Sequence, residues 1–404
     1  MIRIDQLIRE GIAEWEETNA YEGLNRWVQE DDRRQDYEAQ LDALFLKFSS
    51  FMKQFPKYEA KRRIWKQKVI SEINQIMQNG DSYFFSGLTE AERKLFQDIT
   101  IAFLRDVRSF DRELSLQDVM QALRNIWILA ILQCLFQKNI GYHQAMFAYS
   151  MLYPYSDNYL DDSLVAQSDK QQFNEWFTER LKGSITAPHN DHEAKISKLI
   201  AMIEQQFPRT QYPDVYEALL LIQAAQIRSL HQQDGKQSLS DEELLAISYE
   251  KGGTSVIADG ILIDGTLTYD QQRFCMQFGF LLQLGDDIQD AQGDHMNNHQ
   301  TLLSNHLDRF GDALIKQLLQ YIETTVLSTA VCTRKELLNF VQKDCFYLIF
   351  YALFQKNAIP VSESLAHNIA QCLPLSSAFL DRIMNQYGNQ YNEAALWEYI
   401  DALL

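Results

Sequence analysis

Glycine and proline are scarce in this chain, 16 and 7 among 404 residues. So few turn-makers in so long a polypeptide argue against a sheet-rich fold and for long helices. Cysteine is scarce too. Cys134, Cys275, Cys332, Cys345 and Cys372 are odd in number and contain no CxxC pair. They read as reduced, mostly buried thiols in a cytoplasmic protein rather than a disulfide framework. Positive charge is the third shortage: 37 Lys and Arg stand against 55 Asp and Glu, a net charge of −18. Nucleic acid is therefore not an expected partner, because binding its backbone needs cations to displace counterions. The longest apolar runs, 126–136 and 346–354, are too short to span a bilayer. The start, Met1-Ile2-Arg3-Ile4-Asp5, carries charge where a signal peptide is apolar. No transmembrane segment is expected; peripheral membrane contact and a homodimer stay open.

What the chain does hold is helical periodicity. Ile4, Leu7, Ile8, Ile12 and Trp15 give one apolar face; Leu41, Leu44, Phe45, Phe48, Phe51 and Met52 give another. Asn79-Gly80-Asp81-Ser82 is a turn signal. Ser115 and Asp118 read as a helix start before a run to about Lys138 that is apolar nearly all round. Residues 183–193 read as a polar surface loop in spite of His189 and His192. The expectation is an all-α protein, one large helical domain over 1–404. Within it, 1–110 forms an N-terminal packing layer and 111–404 a core.

Ser240-Asp241-Glu242-Glu243 is a capping box. The helix it opens carries Lys251-Gly252-Gly253. Two glycines inside a helix cost about 1 kcal/mol each relative to alanine, so something offsets them. A close backbone approach, or a kink beside a ligand, is the expected reason. Lys251 directly before them has the length to reach a phosphate.

The chemistry gathers at two acidic stretches. Phe278-Gly279-Phe280-Leu281-Leu282-Gln283-Leu284-Gly285 runs into Asp286, Asp287, Asp290 and Asp294. At helical spacing these four acids fall within an arc of about 100°. They repel each other, and if they close a helix running from Tyr269 they also meet its negative end. A multivalent cation makes sense of them. All-oxygen ligands point to Mg²⁺, more than one ion, bridging to substrate phosphate. The earlier stretch, Ala145 to Tyr153, is also apolar and also ends in acids: Asp157-Asn158-Tyr159-Leu160-Asp161-Asp162. Asp157 and Asp161 are four apart and share a face, with Asp162 to one side. Two acid motifs, a lysine between them and an apolar wall suit ionisation of an allylic diphosphate. Metal ions would neutralise the leaving group. A shielded pocket and aromatic faces, 12% of the chain, would stabilise the carbocation.

These residues resemble the class I isoprenoid synthases, the group of trans-prenyltransferases, squalene/phytoene synthase-like enzymes and terpene cyclases. Ala225-Gln226 resembles their Gly-Gln, and Lys251-Gly252-Gly253 their Lys-Thr-Gly. Gly279 to Asp290 resembles their Gly-x-x-x-Gln-x-x-Asp-Asp-x-x-Asp helix. Asp157 to Asp161 resembles the first aspartate-rich motif, with Asn158 in its second acidic place. The order of the motifs agrees as well. About a third of the chain is covered.

The resemblance implies a class I terpenoid synthase-like helical bundle around a central apolar cavity. It implies Mg²⁺ held by Asp157, Asp161 and Asp162 from one wall and by Asp286, Asp287 and Asp290 from the other. Lys251 and Arg228 would contact the diphosphate, and Gln283 and Gln226 would orient polar atoms beside it. Tyr153, with Leu152 and Tyr149, would limit substrate length or serve as ordinary core. Asp294 would be a supporting acid or a solvated one. The family's Arg-Arg pair after the first motif is missing from Ser163 to Asp169, and no Arg-Pro diphosphate motif is present. A single prenyl diphosphate substrate therefore fits better than two. The expected activity is that of a terpene synthase of the prenyltransferase-like branch: ionisation, then cyclisation or elimination. Alternatives are a prenyltransferase and, because of Asn158, a non-catalytic relative.

Overall fold

The computed structural model describes residues 2–78, 87–138, 141–162, 164–233, 238–307, 311–326, 330–387 and 391–404, without the side chains of residues 77, 78 and 161. The expected turn at Asn79-Gly80-Asp81-Ser82 lies outside them. The described residues form helices and connecting turns, with no strand among them. In chain order the α-helices are α1 (Ile4–Glu17), α2 (Asp31–Lys53), α3 (Glu59–Gln78), α4 (Glu90–Phe110), α5 (Leu116–Leu135) and α6 (Gln144–Asp161). Then come α7 (Gln167–Lys182), α8 (Asp191–Gln206), α9 (Pro213–Ser229), α10 (Asp241–Ile261) and α11 (Tyr269–Met296). The last are α12 (Asp312–Val326), α13 (Lys335–Ala352), α14 (Glu363–Cys372), α15 (Ser377–Tyr387) and α16 (Glu393–Leu403).

Local chemistry sets several helix ends. The Glu243 carboxylate accepts from the Ser240 N–H at 2.8 Å and Ser240 Oγ accepts from the Glu243 N–H at 3.3 Å, so the capping box opens α10. Thr268 and Gln271 open α11 in the same way. Before α5, Ser115 Oγ accepts from the Asp118 N–H at 3.1 Å. The helix ends at Leu135, a little short of the expected Lys138.

Two expectations change. α11 does not close on its acids. It continues to Met296, so Asp286, Asp287 and Asp290 lie inside it, and only Asp294 reaches its last turn. The macrodipole penalty therefore bears on Asp294, which pairs with His299 at 3.2 Å. The polar stretch 183–193 is also not all loop. Asn190 caps α8 by accepting from the Glu193 N–H at 2.9 Å. His192 lies half-buried on that helix, its Nε2 2.7 Å from the Tyr155 carbonyl and its ring stacked on Tyr159.

The chain forms two compact units, Met1–Tyr21 with Met120–Ser362, and Glu22–Val119 with Glu363–Leu404. In the second unit, Leu41 of α2 is buried with Leu375, Phe379 and Ile383, and Phe45 stacks on Tyr387. Arg108 of α4 grips Asp401 of α16 through two bonds of 2.7 and 2.8 Å and lies over the Trp397 ring.

In the first unit, α10 and α11 form an antiparallel hairpin whose turn uses Gly265 at φ 87°. Their backbones nearly touch. A methyl group at Gly252 would stand 2.3 Å from the Gly279 carbonyl oxygen, and one at Gly279 would stand 2.0 Å from the Gly252 oxygen. The paired glycines thus serve a close helix–helix approach, and α10 is assigned helix throughout. α1 lies on this hairpin. Glu10 bonds Tyr269, Glu14 bonds Arg273 and Gln277, and Trp15 meets Phe280 edge-on at 5.3 Å.

Candidate active site

Helices α5, α6, α9, α10 and α11 of the first unit carry the residues that gather around Asp286. α11 presents Asp286 and Asp290 on one face. Both are open to solvent by surface area. Burial nonetheless pushes the Asp286 carboxyl up to about 6; Arg124 and Lys251 pull it back, while Asp290 and Asp157 push it further up. A carboxylate that touches water yet sits within dense protein lines a recess. Its surface exposure means water enters, and the surrounding protein means the recess has walls. Asp290 is raised as well, first by burial and then by Asp294.

Asp157 faces this group from the last turn of α6. It is buried, and its Oδ1 accepts from Gln226 Nε2 of α9 at 3.1 Å. Its charge is felt at Asp286, so the two acid motifs are close in space although far apart in sequence. Asn158, in the place of the family's second acid, donates to Gln121 Oε1 of α5 at 3.3 Å. Tyr153, one turn earlier on α6, is 36% exposed. Leu152 and Tyr149 are buried, and the Tyr149 hydroxyl donates to the Ser255 carbonyl of α10 at 3.0 Å.

Asp287 points elsewhere. Gln283 Nε2 donates to its Oδ1 at 2.9 Å and the Ser248 hydroxyl of α10 donates to its Oδ2 at 3.3 Å. Burial raises this carboxyl to about 7, Gln283 lowers it, and Asp286 and Asp294 raise it again. Asp287 therefore ties α11 to α10 beneath the recess. Lys251 lies close enough to lower both Asp286 and Asp287.

Three expected site residues are elsewhere or outside the described side chains. Arg228 is exposed and pairs with Glu250 of α10. Asp162 is exposed and caps the turn after α6, accepting from the Leu164 N–H at 2.8 Å. The side chain of Asp161 lies outside the described residues. Among the described residues no three His, Cys, Asp or Glu side chains stand close enough together to hold a metal ion. The donor chemistry still fits Mg²⁺. Asp157, Asp286 and Asp290 offer only oxygen, and Asp286 is raised by the charge of both others, a repulsion that a divalent cation relieves.

The residue that sequence reasoning missed is Arg124 of α5. After burial, it is the largest influence on Asp286. Its signal was faint: Arg124-Asn125 is a polar break between Leu123 and Ile126. Among the described residues no helix is long and apolar enough to cross a membrane. Compared with known proteins, the chain matches no family model and no curated sequence.

Proposed function

We propose that this chain is a class I terpenoid synthase-like enzyme. It would ionise a linear allylic prenyl diphosphate and release diphosphate with cyclisation or elimination. One observation carries the reading: the charge of Asp157, from the first acid motif, reaches Asp286 of the second, where the charges of Lys251 and Arg124 are also felt. That combination of facing carboxylates and flanking cations suits a metal-bridged diphosphate.

In this reading Asp157, Asp286 and Asp290 are the residues that would hold Mg²⁺, which would supply positive charge to the leaving diphosphate. Lys251 and Arg124 bind its remaining oxygens as fixed cations. Asp287 braces α11 against Ser248, and Gln226 orients Asp157. The C–O bond breaks and its electron pair leaves with the diphosphate. The apolar part of the recess excludes water from the cation that remains.

The test is incubation of pure protein with prenyl diphosphates of ten to thirty-five carbons and Mg²⁺, with phosphate assay and mass spectrometry of extracts. We expect diphosphate release that chelation abolishes and that Asp286→Ala lowers by at least about a hundredfold. If no substrate loses diphosphate, the reading fails. A second reading, condensation of two prenyl units, is favoured by Arg124, an extra cation available to a second anionic head group. Products with more carbons than the substrate would select it.

A further inference from the structure

The first unit holds one more acid that this chemistry has not used. Asp344 lies on α13, four residues before Leu348, so both project from one face of that helix. Leu348 is 41% exposed. It nevertheless borders α11, since a methyl group at Gly285 would stand 3.4 Å from its Cδ2 and 3.6 Å from Ile349 Cδ1. Gly285 immediately precedes Asp286. The open side of Leu348 thus adjoins the recess that Asp286 lines.

Direction sets the level of Asp344. α11 and α13 run the same way. Leu348 and Ile349 stand at Gly285, and past the end of α13, through a run of tight turns, the chain has advanced to Asn357, whose carbonyl accepts from the Gln292 N–H at 2.8 Å and whose side chain lies beside Gly293. Asp344 is therefore about 6 Å back along α13 from the level of Gly285. That is the level of Leu281 and Leu282, on the side of Asp286 that leads to Phe278 and away from Asp290. Leu282 precedes Asp286 by four residues and shares its face. Like Asp286, Asp344 is open by surface area but surrounded by protein. Burial raises its carboxyl to about 7, and Lys343 draws it down.

An acid there shares a helix face with Leu348 and stands level with Leu281 and Leu282. A carboxylate beside a carbocation either takes a proton from it or is alkylated by it, so its position decides the product. We propose that Asp344 is the base that ends the reaction, taking the proton from a carbon adjacent to the carbocation. The C–H electron pair becomes the C=C bond and discharges the cation. The proton stays on Asp344 as a carboxylic acid and passes to water once the product leaves. This rests on the terpenoid synthase reading above.

The test compares wild type, Asp344→Asn, Asp344→Glu and Asp286→Ala, each checked for native helicity by circular dichroism. Diphosphate release and extracted products are measured separately. Asp344→Asn is expected to keep diphosphate release within about threefold, because the acid motifs are intact. Its main olefin is expected to fall about a hundredfold, replaced by water-captured alcohol or another olefin. Asp344→Glu restores the olefin in part; Asp286→Ala loses release and product together. An unchanged product profile in Asp344→Asn overturns the proposal and leaves the parent reading standing. Equal loss of release and product in Asp344→Asn with native helicity, or a prenyl ester on Asp344 in wild type, also overturns it. If Asp344→Asn fails to fold, Asp344→Glu decides, and a product ratio identical to wild type overturns the proposal. Absence of release by wild type overturns both.

Discussion

Asp259 of α10 is fully buried. Among the described residues its one donor is Asn125 Nδ2 at 2.8 Å, which also reaches Ser150, and its Oδ2 has no partner there. Burial raises its carboxyl well above the usual 3.8. Between 3.8 and the folded-state value the native chain holds a proton that the unfolded chain has released, so stability falls as pH rises through that window. Asp259→Asn removes the titration. The variant is expected to gain in melting temperature relative to wild type at pH 7, and the gap should shrink as pH falls toward 3.8. Thermal melts at several pH values check this; a gap independent of pH would mean that Asp259 is charged in the native state. Burial raises Asp287 of α11 in the same direction, to about 7, although both its oxygens have donors.

At the scale of elements the hairpin of α10 and α11 matters most. Gly252→Ala would force a methyl group onto the Gly279 carbonyl oxygen and within 2.8 Å of Gln283 Cβ. Neither backbone can yield without separating the helices, so a destabilisation of about 3 kcal/mol is expected, read from urea unfolding. Loss of the Ser248–Asp287 bond should accompany it. Much of this pair was legible in the sequence. The Ser240 and Thr268 caps are local patterns, and two glycines inside a helix already asked for a close approach. Their partner, Gly279, was legible only as part of a motif, because the contact joins residues with no fixed spacing. Arg124 was hidden by the apolar length of α5, and Asp344 by the aromatic density of α13. An acid in such a helix declares itself only when its neighbours in space are known. The end of α11 was misjudged for a related reason: a cluster of like charges reads as a helix terminus, and only the protein around it permits the helix to continue.

At the scale of the molecule, the two units have their own cores, and each is assembled from separated stretches of chain. Leu41 and Phe379 share a core although hundreds of residues separate them, a pairing that no periodicity reveals. Arg108 ties one such pair of stretches together through Asp401 and Trp397. Arg108→Ala removes a bidentate bond and a ring contact, together about 1–2 kcal/mol. Hydrogen exchange should quicken in α4 and α16 and stay unchanged in α10 and α11. Equal quickening in all four helices would mean that the units open together.

The contact of Gly252 with Gly279 sets the spacing of α10 and α11 by backbone atoms alone. Lys251 and Asp286 are carried on that frame, whereas Leu348 and Asp344 come from α13, which meets α11 through side chains at Gly285. Substitution can therefore reshape the apolar wall while the head-group end keeps its dimensions. A chain built this way has one part free to diversify and one part nearly closed to change. Under the proposed function, libraries aimed at new products belong on α5 and α13, with the glycine hairpin left untouched.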